Sequence, residues 1–122
     1  MAKAELGKVY QPGEIIVRQG EAGDCMYVIQ AGQVEVVQHN QGKEVRLAVL
    51  GEGDFFGEMA LFDRTVRSAT VRSLGQSRAL TVEKRTFLSR IQEDPSLAFR
   101  IVQQMSRRIR ELDAELTKLK SE

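Results

Sequence analysis

Val34-Glu35-Val36-Val37-Gln38-His39-Asn40-Gln41-Gly42-Lys43-Glu44-Val45-Arg46-Leu47-Ala48-Val49 reads as strand, turn, strand. Two Val-rich runs flank Asn40-Gln41-Gly42, the residue types that close a tight hairpin. The same cadence extends in both directions. Glycines recur from Gly13 to Gly75, and between them lie Ile15-Ile16-Val17, Met26-Tyr27-Val28-Ile29, Ala69-Thr70-Val71 and Ala79-Leu80-Thr81-Val82. Short strands at a spacing of roughly 8–12 residues indicate an all-β sandwich or barrel. Ala31-Gly32 reads as a second hairpin tip, between Ile29 and Val34.

After residue 84 the period changes to helical. A short helix is expected to end at Glu93, with Phe87, Leu88 and Ile91 on one face. Asp94 can cap the next helix, and Pro95 suits its first position. That helix is expected over about 95–119. Val102, Ile109 and Leu116 occupy heptad position a, and Met105, Leu112 and Leu119 position d, a pattern that favours a parallel two-stranded coil. In such a pair Arg108 faces Asp113 of the second copy, and Glu115 faces Lys120. The stripe can instead pack on the protein's own barrel. The charge pairing favours a homodimer through the C-terminal helix.

The chain of 122 residues carries 18 basic and 17 acidic side chains, a net charge of +1. That balance gives no bulk attraction to nucleic acid. Cys25 is the single cysteine, so no internal disulfide can form. It reads as a small core residue rather than a nucleophile. No secretory signal and no apolar run of about 18 residues is present, so a cytoplasmic protein without a membrane span is expected. His39 is the single histidine, beside the Asn40 turn. That leaves too few ligands for a metal site and no evident catalytic group, so no enzyme is expected.

The chemistry concentrates in Phe56-Gly57-Glu58-Met59-Ala60-Leu61-Phe62-Asp63-Arg64-Thr65-Val66-Arg67-Ser68-Ala69. Gly57 allows a ligand close to the backbone. Glu58-Met59-Ala60-Leu61 makes about one helical turn, whose first amides can receive an anionic oxygen. Arg67 can fork two donors onto phosphate oxygens, Glu58 can accept from a sugar hydroxyl, and Ser68 adds a short donor. Phe55, Phe56 and Leu61 supply apolar support, and Ala69 permits close packing. On residue chemistry alone, Glu58 and Arg67 can equally be an ion pair closing a loop.

Phe-Gly-Glu, an apolar residue, Ala-Leu, a variable loop and Arg-Ser-Ala together resemble the phosphate-binding cassette of cyclic nucleotide-binding domains. The upstream pattern resembles it too: Gly13-Glu14, Gln19-Gly20-Glu21-Ala22-Gly23-Asp24-Cys25-Met26-Tyr27-Val28-Ile29 and Gly32-Gln33-Val34. The likeness covers about residues 10–119. It implies a mainly β fold, a β-roll or jelly-roll barrel over about 8–83. A C-terminal helical pair follows, at about 84–93 and 95–119, ending in the long helix. It implies that Glu58 binds the ribose 2′-hydroxyl and that Arg67 and Ser68 hold the cyclic phosphate. The amides of Gly57, Met59 and Ala60 complete that pocket, and Phe56 and Ala69 flank it.

Gln104-Met105-Ser106-Arg107-Arg108 resembles a run in the catabolite activator family and places Leu112 and Asp113 at the base, where that family uses hydroxyl residues. A carboxylate can accept from the adenine amino group or from two adjacent guanine donors. Ser68 is compatible with cAMP, which is favoured over cGMP. Asp113 cannot serve both the base and Arg108 of a second copy strongly. The chain ends at Glu122 without a helix-turn-helix segment, so direct DNA binding is not expected. The expected role is a sensor or regulatory domain acting on an unknown downstream protein. The implied mechanism is a shift of the helices about the Glu93-Asp94-Pro95 break. The competing role is a non-binding relative that serves as a dimerisation or docking module.

Overall fold

The structure, a computed structural model, describes residues 6–61 and 66–120. The variable loop at Phe62, Asp63, Arg64 and Thr65 and the support assigned to Leu61 lie outside what it describes. Two compact units divide between Lys84 and Arg85.

The first unit holds eight strands: β1 Lys8–Tyr10, β2 Ile15–Val17, β3 Cys25–Ala31, β4 Val34–Asn40, β5 Lys43–Leu50, β6 Phe55–Phe56, β7 Thr70–Ser73 and β8 Ser77–Glu83. One sheet has the order β1-β8-β3-β6 and the other β2-β7-β4-β5, and every pairing is antiparallel. β4 pairs β5, β3 pairs β6, β2 pairs β7 and β1 pairs β8. The chain is thus one long two-stranded ribbon, creased once and rolled so that β8 also meets β3 and β7 meets β4. That is a jelly roll, as the glycine cadence and the resemblance imply.

The crease is the Asn40-Gln41-Gly42 turn. Gln41 and Gly42 both have positive φ, 53° and 77°. Two left-handed residues give the turn whose twist matches the strands it joins. Ala31-Gly32 behaves differently from its reading as a hairpin tip. It joins β3 to β4, which lie in different sheets. A turn signal reports a change of direction, while the choice of strand partner is set by distant segments.

The core forms where the two sheets face. Val17, Ile29, Val34, Leu50, Phe56 and Val71 make one buried cluster, with Ile16, Tyr27, Val36 and Ala48 packed against it. These residues come from β2 to β7. Burying each such side chain contributes roughly 1.5–3 kcal/mol.

Outside that core, Glu35 lies nearly buried on β4, between two arginines. Arg72 Nε donates to its Oε2 (3.0 Å) and Arg46 Nε to its Oε1 (3.2 Å). Arg72 also grips Glu44 with both terminal nitrogens (2.9 and 2.6 Å), and His39 Nε2 lies 3.2 Å from Glu44. The network laces β4, β5 and β7 together. The hydrogen bond from Arg72 holds the Glu35 carboxyl below the usual carboxylate range; burial opposes the shift and Arg46 adds to it. A folded pKa below the unfolded value of about 4.3 stabilises the fold above that pH. The contribution is lost as pH falls through the folded pKa. Glu35→Gln should therefore lower Tm by roughly 3–8 °C at neutral pH. The gap from wild type should narrow in acid. Melting curves that coincide at pH 7 would refute this role.

The second unit is helical: α1 Lys84–Glu93 and α2 Ser96–Lys120. Asp94 and Pro95 separate them. Asp94 Oδ1 accepts from the Ser96 amide (3.1 Å) and from the Ser96 hydroxyl, which holds the Asp94 carboxyl below its usual range. Pro95 needs no amide partner there. The buried residues of α2 are Ile101 and Gln104. The heptad stripe lies elsewhere on the helix: Val102, Ile109, Leu112, Leu116 and Leu119 are 54–66 % exposed. Met105, the remaining member of the stripe, is half-buried. Among the described residues no helix is long and apolar enough to cross a membrane.

Candidate functional site

The cassette is the link between β6 and β7, so it passes from one sheet to the other. Its first residue, Phe56, is buried and pairs with Tyr27 across β3 and β6. The two rings stack with centroids 5.0 Å apart and planes 12° from parallel. Gly57 follows with φ of 78°. A Cβ at Gly57 would stand 2.5 Å from Arg67 Nη1 and 3.3 Å from the Cys25 carbonyl oxygen. Glycine thus satisfies both the backbone and the close approach of the arginine.

Glu58–Leu61 forms one turn of 3-10 helix. The Ala60 amide donates to the Gly57 carbonyl (3.2 Å), so that donor, read as a ligand contact, is engaged within the cassette. Glu58 and Ala60 are buried, and Met59 is exposed. A carboxylate buried beside a glycine is a strong acceptor for a small polar group.

The return strand of the cassette is pinned by the link between β2 and β3. The Arg67 amide donates to the Glu21 carbonyl (2.7 Å), and the Gly20 amide donates to the Arg67 carbonyl (2.8 Å). Ala22 bridges Val66 in antiparallel fashion. Thr70 Oγ1 accepts from the Gln19 amide (2.9 Å), and the Ser68 carbonyl accepts from Gln38 Nε2 (3.1 Å). On a folded ribbon these two links must face one another, because β3·β6 and β2·β7 bracket both.

The Arg67 side chain runs back toward Gly57. Its Nη1 donates to the Gly57 carbonyl (3.3 Å) and its Nη2 to the Cys25 carbonyl (2.8 Å). Nη2 also lies 3.8 Å from Cys25 Sγ, and Cζ lies 5.9 Å from the centre of the Tyr27 ring. The sequence left open an ion pair between Arg67 and Glu58; among the described residues, hydrogen bonds of the guanidinium run to the Gly57 and Cys25 carbonyls. A guanidinium carries five N–H donors. Held by two carbonyls, it presents a half-buried fork suited to a phosphate or carboxylate.

Phe56 ends β6, and Gly57, Glu58, Met59, Ala60, Arg67, Ser68 and Ala69 all lie in the link that follows it. Leu112 and Asp113 lie near the end of α2 in the helical unit, and both are exposed. The residue reading missed Tyr27 and the Cys25 carbonyl as partners of Arg67. Cys25, read as a core residue, is half-buried. The Gly23-Asp24-Cys25-Met26-Tyr27 run belongs to the upstream pattern that carries the family likeness, but nothing in its residue types points to Arg67. Among the described residues no group of His, Cys, Asp and Glu is arranged to hold a metal ion.

The sequence profile of the cyclic nucleotide-binding domain matches residues 7–94. The Cyclic AMP receptor protein of Thermus thermophilus is 34% identical over 116 residues, 94% of this chain and 54% of that protein. The cAMP-dependent protein kinase regulatory subunit of Schizosaccharomyces pombe is 44% identical over 79 residues, 65% of this chain and 18% of that protein. The crystal structure of the Thermus thermophilus Catabolite Activator Protein superposes with a TM-score of 0.80 at 34% identity, covering 92% of this chain and 53% of that one. The chain thus spans about half, or less, of the length of these three relatives. With the jelly roll, the glycine-flanked cassette and the pinned arginine already in place, these likenesses identify the chain as a member of the cyclic nucleotide-binding domain family.

Proposed function

We propose that this domain binds a cyclic nucleotide, cAMP in the first place, and acts as a receptor rather than a catalyst. The observation that carries the proposal is Arg67, fixed through backbone on both sides and aimed across Gly57. One guanidinium balances the single negative charge of a cyclic phosphodiester. In this reading Arg67 and Ser68 hold the phosphate, and the buried Glu58 accepts from the ribose hydroxyl. The amides of Gly57 and Met59 line the approach. Ala60 contributes packing, since its amide is already bonded to Gly57. Phe56 and Ala69 close the apolar side, and Leu112 and Asp113 meet the base.

Asp113 supports cGMP as a second reading, because a carboxylate can accept from two adjacent guanine donors at once. The output passes through α1 and α2, with the break at Asp94-Pro95 as the hinge, to another protein rather than to DNA. The near balance of 18 basic and 17 acidic side chains supports the last point. The exposed heptad stripe on α2 supports a homodimer.

A thermal-shift series with cAMP, cGMP and linear AMP tests the binding. A cyclic ligand at about a hundred times its Kd stabilises by about 2.7 kcal/mol. A shift with a cyclic nucleotide and none with AMP supports the proposal, and no shift with any of the three favours a docking module. Amide exchange on the same samples tests the output. Protection of α1 and α2 that nucleotide leaves untouched would refute the relay, since a ligand shifts only an equilibrium to whose states it binds unequally.

A further inference from the structure

Arg67 has side-chain neighbours that no cassette position accounts for. Its guanidinium carbon lies 5.9 Å from the centre of the Tyr27 ring, within the range of cation–π attraction. Tyr27 is on β3, two residues after Cys25, whose carbonyl accepts from Nη2 at 2.8 Å. The same ring stacks on Phe56, the residue before Gly57, and Gly57 gives Arg67 its second carbonyl. On the remaining side stands Gly23, where a Cβ would lie 2.1 Å from Arg67 Nε. The guanidinium therefore has an aromatic ring on one face, two carbonyls at its terminal nitrogens and a residue without a Cβ beside Nε, and it stays half-buried.

We infer that Tyr27 is a positioning residue for nucleotide binding: its ring, backed by Phe56, sets the plane in which Arg67 presents its remaining donors to the phosphate. This rests on the binding role proposed above. Burial, with a hydrogen bond to the Cys25 side chain, pushes the Tyr27 hydroxyl up to about 12, so the ring is neutral at physiological pH. It steers the arginine through its face and does not compete with phosphate as an anion. The two carbonyls fix where the guanidinium can reach, and the ring fixes how it is tilted. A forked contact to two phosphate oxygens needs both, because its two N–H vectors are parallel.

The test compares Tyr27→Leu with Tyr27→Phe in the full chain, by cAMP and cGMP titration and by the Arg67 Nε–H resonance of the nucleotide-free protein. Tyr27→Leu should weaken binding by roughly three- to thirtyfold, and Tyr27→Phe, which keeps the ring, should recover most of that loss. The Arg67 resonance should shift and exchange faster with water in Tyr27→Leu and stay near its wild-type position in Tyr27→Phe. A Tyr27→Leu chain that melts normally and binds like wild type would overturn the inference. So would an Arg67 resonance that both variants leave in place, since a loss of affinity would then reflect packing alone. A wild-type chain that binds neither nucleotide overturns the binding role and this inference with it, whatever the resonance does.

Discussion

Arg67→Ala should lower affinity for the cyclic nucleotide by more than tenfold, measured by calorimetric titration. Removing one partner of a desolvated charged contact costs about 2–5 kcal/mol, and a factor of ten needs only about 1.4. Two losses combine here. The fork proposed to meet the phosphate disappears, and the Gly57 and Cys25 carbonyls lose the donors that join the cassette to β3. Arg67→Lys separates them. It keeps the charge but gives up the paired donors, so it should fall between alanine and wild type. An Arg67→Ala chain that binds as wild type does would refute the assignment of the phosphate site.

The second large effect concerns α2. Wild type should sediment at twice the 13.7 kDa chain mass at micromolar concentration, and Ile109→Asp combined with Leu116→Asp should sediment as a monomer. Both residues occupy a positions and are exposed in the single chain, 57 % and 54 %. In a parallel pair each new carboxylate would meet its own copy across the seam, desolvated and of like sign. Each is already at the surface of the isolated chain, so the fold itself should tolerate the change. A wild-type chain that stays monomeric throughout the concentration range would sink the dimer.

Much of the fold was legible because it is written in local terms. The Asn40-Gln41-Gly42 turn and the Val-rich runs around it carry their own geometry, and α2 follows from a long stretch free of Gly and Pro with Asp94 and Pro95 before it. What escaped was non-local. Ala31-Gly32 looks like any tight turn, yet β3 finds its partners in β6 and β8 and β4 finds its own in β5 and β7. β6, only Phe55–Phe56, is too short to show an alternating pattern. The site divides in the same way. Gly57, Glu58 and Arg67 stand out by residue type within one link. Tyr27 and the Cys25 carbonyl reach Arg67 from a strand far upstream, Cys25 standing 42 residues before it. A backbone oxygen has no letter of its own in a sequence.

A ribbon creased at Gln41-Gly42 can close like a zip. The β4–β5 rung spans a two-residue loop. Each later rung then joins segments that the previous one has already brought near, so the entropy of closure is divided among small steps rather than met in one long loop. The cassette lies between the second rung, β3–β6, and the third, β2–β7. Its length can drift in evolution without altering which strands meet, provided that the opposing link still reaches across to Arg67. A receptor built on such a zip can change its ligand while its folding route stays the same.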